Sequence, residues 1–123
     1  DSNEWAYAGR CKAYGLAGQA EVAKVDCDRC LALNSENGTC ILYQGYTVRD
    51  LGDYEQAVAL WEQALPENME DPYLRNDLAQ VYLLSLGQPE PALVHINEAI
   101  SLDDSNTDFY NVRGSIYETQ VDL

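Results

Sequence analysis

A chain of 123 residues is long enough for one modest hydrophobic core, and its 46% hydrophobic fraction is that of a soluble globular domain. The net charge of −14 repels nucleic-acid phosphates and anionic lipid surfaces, and no apolar run approaches the ~20 residues of a membrane span. The excess is uneven: residues 1–40 carry six acids and four bases, residues 41–123 fifteen acids and three bases. Such a surface is a solvated one, or one suited to a basic partner or a salty habitat. No signal peptide is visible. The first residue is Asp1, not Met, so a preceding segment is expected to have been removed or to lie outside this sequence.

The predicted elements are all helices. Ser2 or Asn3 can cap a first helix from about Glu4, with Tyr7, Cys11 and Tyr14 on one face. Ala17-Gly18-Gln19 is a turn. The second helix carries Ala23, Cys27 and Cys30, and Asn34 to Gly38 breaks it. The third runs from about Thr39 to Leu51, with Ile41, Gly45 and Val48 inward, and Gly52 ends it. Asp53 caps the fourth, in which Ala57, Trp61 and Ala64 share a face; Pro66 stops it near Leu65. Asp71-Pro72 is an N-cap followed by proline at the first helical position. The fifth helix carries Leu78, Ala79 and Tyr82 and ends near Gly87. Pro89 starts the sixth, with Ala92, Ile96 and Ala99 inward. A seventh runs from about Thr107, with Tyr110, Gly114 and Tyr117 inward.

These helices repeat. Small residues recur at Cys11, Gly45, Ala79 and Gly114, intervals of 34, 34 and 35. Tyr14, Val48, Tyr82 and Tyr117 keep the same intervals. Three more columns are in register: Ala23, Ala57 and Ala92; Cys30, Ala64 and Ala99; Gly18, Gly52 and Gly87. A period near 34 with two helices per unit predicts stacked helix hairpins, with boundaries at about 4–37, 38–71 and 72–106 and a terminal helix 107–123. The one extra residue falls between Tyr82 and Gly87.

The pattern resembles the tetratricopeptide repeat (TPR) family. Gly45, Gly52-Asp53-Tyr54, Ala57, Trp61 and Ala64 carry the likeness in the second unit; Leu78, Ala79, Tyr82, Ala92 and Ala99 carry it in the third. The proline that often closes a family repeat is replaced by Ser35, Met69 and Asp104. The resemblance implies an all-α, right-handed superhelix of antiparallel hairpins, a TPR-like α-solenoid of about seven helices. It also implies a concave groove, lined by the first helix of each unit, that binds a peptide or protein surface without catalysis.

With Ile41, Gly45 and Val48 inward, another face of the third helix presents Leu42, Tyr43, Tyr46, Arg49 and Asp50. The equivalent face of the fifth holds Tyr73, Asn76, Asp77, Gln80, Leu83 and Leu84; that of the seventh holds Asp108, Asn111, Val112, Ser115 and Glu118; that of the first holds Trp5, Ala8, Gly9 and Lys12. Tyrosine offers contact area and a hydrogen bond at small rotamer cost, as a peptide surface needs. The candidate groove residues are Leu42, Tyr43, Tyr46, Arg49, Tyr73, Asn76, Asp77, Gln80 and Asn111; the alternative is that the aromatics only pack between units. Some family members grip chaperone C-termini with a lysine–asparagine clamp. Ala8, Leu42 and Asn76 stand where that lysine is expected, so that partner is not predicted.

Cys11, Cys27, Cys30 and Cys40 admit three readings: two disulfides in an oxidising compartment, a zinc site suggested by the C-x-x-C at Cys27 and Cys30, or reduced core thiols. In an antiparallel hairpin, residues equidistant from the turn face each other. Cys11 and Cys27 are centred on the Ala17–Gln19 turn, and Cys30 and Cys40 on the Asn34–Gly38 turn, so the expected bridges are Cys11–Cys27 and Cys30–Cys40. Cys11–Cys30 with Cys27–Cys40 is less centred and stays open. The C-x-x-C lies well inside a helix, away from the N-terminus that would stabilise a reactive thiolate.

Asn37-Gly38-Thr39 is a glycosylation sequon in a turn, meaningful only in a secreted eukaryotic protein; so short a motif also arises by chance. His95, the single histidine, is expected on an exposed helix face. Without a second histidine or a paired nucleophile no hydrolase triad assembles, and no glycine-rich phosphate loop is present. The expectation is a non-enzymatic interaction scaffold without cofactor or metal, extracytoplasmic if the disulfides form and cytoplasmic otherwise. Two alternatives are a metal-binding or thiol-redox module on the same scaffold, and a purely structural segment of a longer array. The terminal helix is either a solvating cap or an open edge, leaving the chain a monomer or a weak homodimer through that helix.

Overall fold

The computed structural model describes residues 2–121 of the chain. Among them are seven α-helices and no strand: α1 Ser2–Leu16, α2 Ala20–Leu33, α3 Gly38–Asp50, α4 Tyr54–Ala64, α5 Pro72–Gln80, α6 Pro89–Leu102 and α7 Thr107–Val121. A 3₁₀ turn, Leu65–Glu67, extends α4, and a π turn, Val81–Ser85, extends α5. The predicted helices are all present. The cap expected at Ser2 or Asn3 is displaced, because both lie inside α1; the residue before it, and the last two of the predicted terminal helix, lie outside the described residues.

The helices form two compact units, one ending at Glu67 and one beginning at Asn68. In the first unit α1 packs on α2, α2 on α3 and α3 on α4, with α1 also touching α3; in the second α5 packs on α6 and α6 on α7. Short polar side chains start α3, α4 and α5. Asn37 Oδ1 accepts from the Cys40 amide, Asp53 Oδ1 from the Gln56 amide, and Asp71 Oδ1 from the amides of Tyr73 and Leu74.

The glycine column makes the hairpin turns. Gly18, Gly52 and Gly87 all have positive φ, a conformation other residues rarely adopt. The amide after each glycine closes the preceding helix. Gln19 donates to Tyr14 O (2.9 Å) and Asp53 to Val48 O (2.8 Å), each spanning five residues. Gln88 donates to Tyr82 O (2.8 Å), spanning six. The extra residue of the third repeat is thus absorbed as a π turn, in which Leu86 N reaches back to Val81 O. The phase of the following helix is preserved.

Packing inside each hairpin follows the small column. Gly45 sits against the Trp61 ring, and a Cβ added there would lie 2.5 Å from Cδ1 and Nε1. At the equivalent places Ala79 shares a buried cluster with Ile96, and Cys11 faces Cys27. Gly45→Ala is therefore expected to destabilise the protein by about 1–3 kcal/mol, through overpacking against a fully buried indole. Gly114 has open space where its Cβ would be, so Gly114→Ala should stabilise it by about 0.5–1 kcal/mol. Denaturant melts of the two variants test the contrast; equal effects would refute it.

Candidate functional site

The first unit brings together the candidate residues of α3 in one ladder. Lys12 Nζ from α1 lies 5.6 Å from the centre of the Tyr43 ring. Tyr43 and Tyr46 are 5.9 Å apart, and Tyr46 is 5.0 Å from Trp61. The Arg49 guanidinium lies 5.3 Å from the Tyr46 ring and 5.6 Å from Trp61, and its Nε donates to Asp50 Oδ1 (3.1 Å). Contacts of this kind hold a cation over an aromatic face with a modest attraction. Leu42, Tyr43, Tyr46 and Arg49 are all half-buried. Tyr46 therefore belongs partly to the scaffold, resting on Trp61, while Lys12 and Tyr43 form the outer part. Lys12 entered the sequence reading only as a groove-facing residue of the first helix; its seat on Tyr43 needs the α1–α3 contact to be seen.

In the second unit the α5 residues are placed differently from one another. Tyr73 is 59% exposed, with its ring edge-on to Phe109 of α7 at 5.9 Å. Asn76 and Asp77 are half-buried, and Gln80 and Asn111 are exposed. Asn76 Oδ1 is buried and meets no hydrogen-bond donor among the described residues. Leu83 and Val112, expected on the groove face, instead pack against the Ala79, Ile96 and Phe109 cluster. The π turn rotates the end of the helix and leaves Leu84 as its outward apolar residue.

One other expectation needs correction, and the sequon is explained. His95 is buried rather than exposed. Its ring stacks on Tyr82 (5.7 Å, 6° between planes), and Arg75 Nη1 lies 3.1 Å from its Nδ1. A guanidinium can only donate, so Nδ1 is the acceptor. Asn37 of the sequon is also buried: its Oδ1 caps α3, and its Nδ2 donates to Glu4 Oε1 (2.8 Å). That nitrogen is the atom a glycan would occupy. Asn34 Nδ2 donates to the same carboxylate oxygen at 2.8 Å, tying the α2–α3 turn to the start of α1.

The cysteines form two pairs at bonding distance, Cys11 with Cys27 (Cα–Cα 4.9 Å) and Cys30 with Cys40 (6.4 Å). Among the described residues no three His, Cys, Asp or Glu side chains gather as metal ligands, and no helix is long and apolar enough to cross a membrane.

The chain matches no protein-family model and no curated protein. Its fold is nonetheless close to solved TPR domains. The first TPR domain of Spaghetti (RPAP3), bound to an HSP90 peptide, aligns at TM-score 0.82 with 12% identity over 98% of this chain and 94% of that one. The second TPR domain of human RPAP3, in complex with an HSP70 peptide, aligns at 0.77 with 16% identity over 94% and 96%. The Yersinia enterocolitica type III secretion chaperone SycD, in complex with a peptide of the translocator YopD, aligns at 0.75 with 14% identity over 99% and 95%. At these identities the likeness establishes the fold: an all-α, TPR-like arrangement of helix hairpins.

The Glu4 network carries a pH signature. Donation from Asn37 and then Asn34 holds its carboxyl below the ordinary carboxylate range. A lowered folded-state value means the contribution is complete above the unfolded value, about 4.3, and is lost as pH falls below it. Denaturant melts across a pH series should show Glu4→Ala less stable than the parent at neutral pH but losing less of its own stability on acidification, because the variant has no Glu4 contribution to lose; parallel pH profiles would refute this.

Proposed function

We propose that the chain is a non-catalytic protein-interaction scaffold. Each unit presents its own candidate surface: Leu42, Tyr43, Tyr46 and Arg49 of α3 in the first, and Tyr73, Asn76, Asp77, Gln80 and Asn111 in the second. The observation that carries this reading is the Lys12–Tyr43–Tyr46–Arg49 ladder: half-buried aromatics held in place by cations, on a helix whose opposite face is core. Rigid tyrosines lose little freedom on binding, and a cationic rim in a chain of net charge −14 gives acidic groups of a partner a place to sit. The peptide complexes of the RPAP3 domains and SycD support peptide binding as the activity of this fold. Ala8, Leu42 and Asn76 in place of a clamp lysine argue against chaperone C-termini as this chain's ligand.

An affinity capture followed by mass spectrometry identifies the partner, and Tyr43→Ala and Tyr73→Ala test the surface. Each is expected to weaken binding by about 1–2 kcal/mol, roughly five- to thirtyfold, without loss of helicity. Unchanged binding by the double variant would sink the assignment.

The proposed location is extracytoplasmic, supported by the two cysteine pairs, since such bridges persist in oxidising compartments. Intact mass of protein purified under non-reducing conditions should rise by the mass of four hydrogens on reduction, as two bridges require. Reduction should also lower stability by about 3 kcal/mol for the larger loop in the chain-entropy model. A mass unchanged by reduction would remove the argument for location.

A further inference from the structure

Two surfaces outside the proposed binding face lack a covering element, and they complement each other. The first lies in unit one. A cleft of about 420 Å³ runs between α1 and α2, lined by Arg10, Tyr14, Val22, Val25 and Arg29, with Glu21 and Asp26 completing the lining. Asp26 is buried and occupied by Arg10 Nη2 at 2.8 Å. Arg10 and Arg29 both lie over the Tyr7 ring, at 5.3 and 5.6 Å, and Val22 and Val25 are exposed. The cleft therefore sets the exposed Val22 and Val25 beside the Arg29 guanidinium, with Arg10 paired to Asp26 and Glu21 also in the lining.

The second is α7. Phe109 and Ile116 bury one stripe against the second unit's core. One residue further round, Tyr110, Gly114, Tyr117 and Val121 form another stripe at helical spacing. These include a repeat column that is covered in the second repeat. Val48 is 1% exposed, whereas Tyr117 in the same column is 47% exposed and Val121 is 81% exposed. Gly114 faces open space, so another backbone can come close there. Glu118 flanks the stripe. Residues 68–123 carry ten acids and two bases, and one of those bases, Arg113, is engaged with Asn97 and Tyr110.

We propose that these are the two halves of one head-to-tail interface, in which α7 of a second copy docks in the α1–α2 cleft. Its Tyr110–Gly114–Tyr117–Val121 stripe covers Val22, Val25 and Tyr14, and Glu118 meets Arg29. The interaction is weak and salt-sensitive, because one docked helix buries less than a standard interface and the charges lie at its rim.

Sedimentation of the whole chain over a concentration series tests this at low and at high salt. Concentration-dependent association, weakened by salt, is expected. Arg29→Glu or Val25→Asp in the cleft, and Tyr117→Lys on α7, should each weaken it at least about tenfold while retaining native helicity. Mixing Arg29→Glu with Tyr117→Lys leaves one intact cleft and one intact α7, and should restore a one-to-one heterodimer and nothing larger. A monomer at every concentration overturns the proposal. So does self-association indifferent to both cleft variants, the result for an isologous α7–α7 pair, and so does a folded mixture that fails to associate.

Discussion

The fold depends on one recurring contact, in which the first helix of a hairpin offers a small residue and the second fills the space with a large one. In the second repeat Gly45 accepts Trp61 so closely that not even a methyl group fits between them. In the third, Ala79 and Ile96 do the same work with less disparity. The interaxial distance is set by the smaller partner, and the tightness of packing by the larger. The first repeat solves the problem by another route: Cys11 and Cys27 occupy the two positions, sixteen residues apart like Gly45 and Trp61, and a covalent bond replaces the interdigitation. The pair in the third repeat is one residue further apart, and the π turn after α5 is the backbone's accommodation of that residue.

Much of this was legible because repetition multiplies weak signals. A single glycine or alanine in a helix says little; five columns at 34 or 35 residues define the hairpins, their turns and the inward faces of the paired helices. On α7 the expected inward face fails: Tyr110, Gly114 and Tyr117 are exposed, and Phe109 and Ile116 are buried in their place. Mirror symmetry about the turns favours Cys11–Cys27 and Cys30–Cys40 over the other pairing, and these are the pairs that the structure brings to bonding distance. The sequence also held a sharper clue that went unused. Cys27 is in register with Trp61 and Ile96, so the first repeat lacks the large residue its neighbours have, and a bridge to Cys11 is what remains to fill that place.

What was not legible concerns side chains whose polarity disguises their position. His95 looked like a surface residue, yet Tyr82 on one side and Arg75 on the other satisfy it in a buried setting. Asn37 carries a sequon of a kind that arises by chance, and its structural work as a cap and a strut at once is not written in that motif. Leu83 and Val112 were assigned outward because periodicity fixes a face only to within about one residue, about 100° of helix. The binding face has the same ambiguity in physical form. Tyr46 is both partner to Trp61 and neighbour to Tyr43, so scaffold and surface share one ring, and whatever docks on Tyr43 presses against the residue that anchors α3 to α4.

The covalent topology of the first unit has a bearing on how the chain meets proteases. The Cys11–Cys27 bridge encloses the turn at Ala17–Gln19, and the Cys30–Cys40 bridge encloses the turn from Asn34 to Asn37. Residues 17–19 and 34–36 of these turns are exposed and non-helical, as sites of first cleavage are. A cut in either turn opens a ring rather than parting the chain. The fragments stay tethered, α1, α2 and α3 keep their neighbours, and the nicked protein can go on presenting Lys12 and Tyr43 side by side.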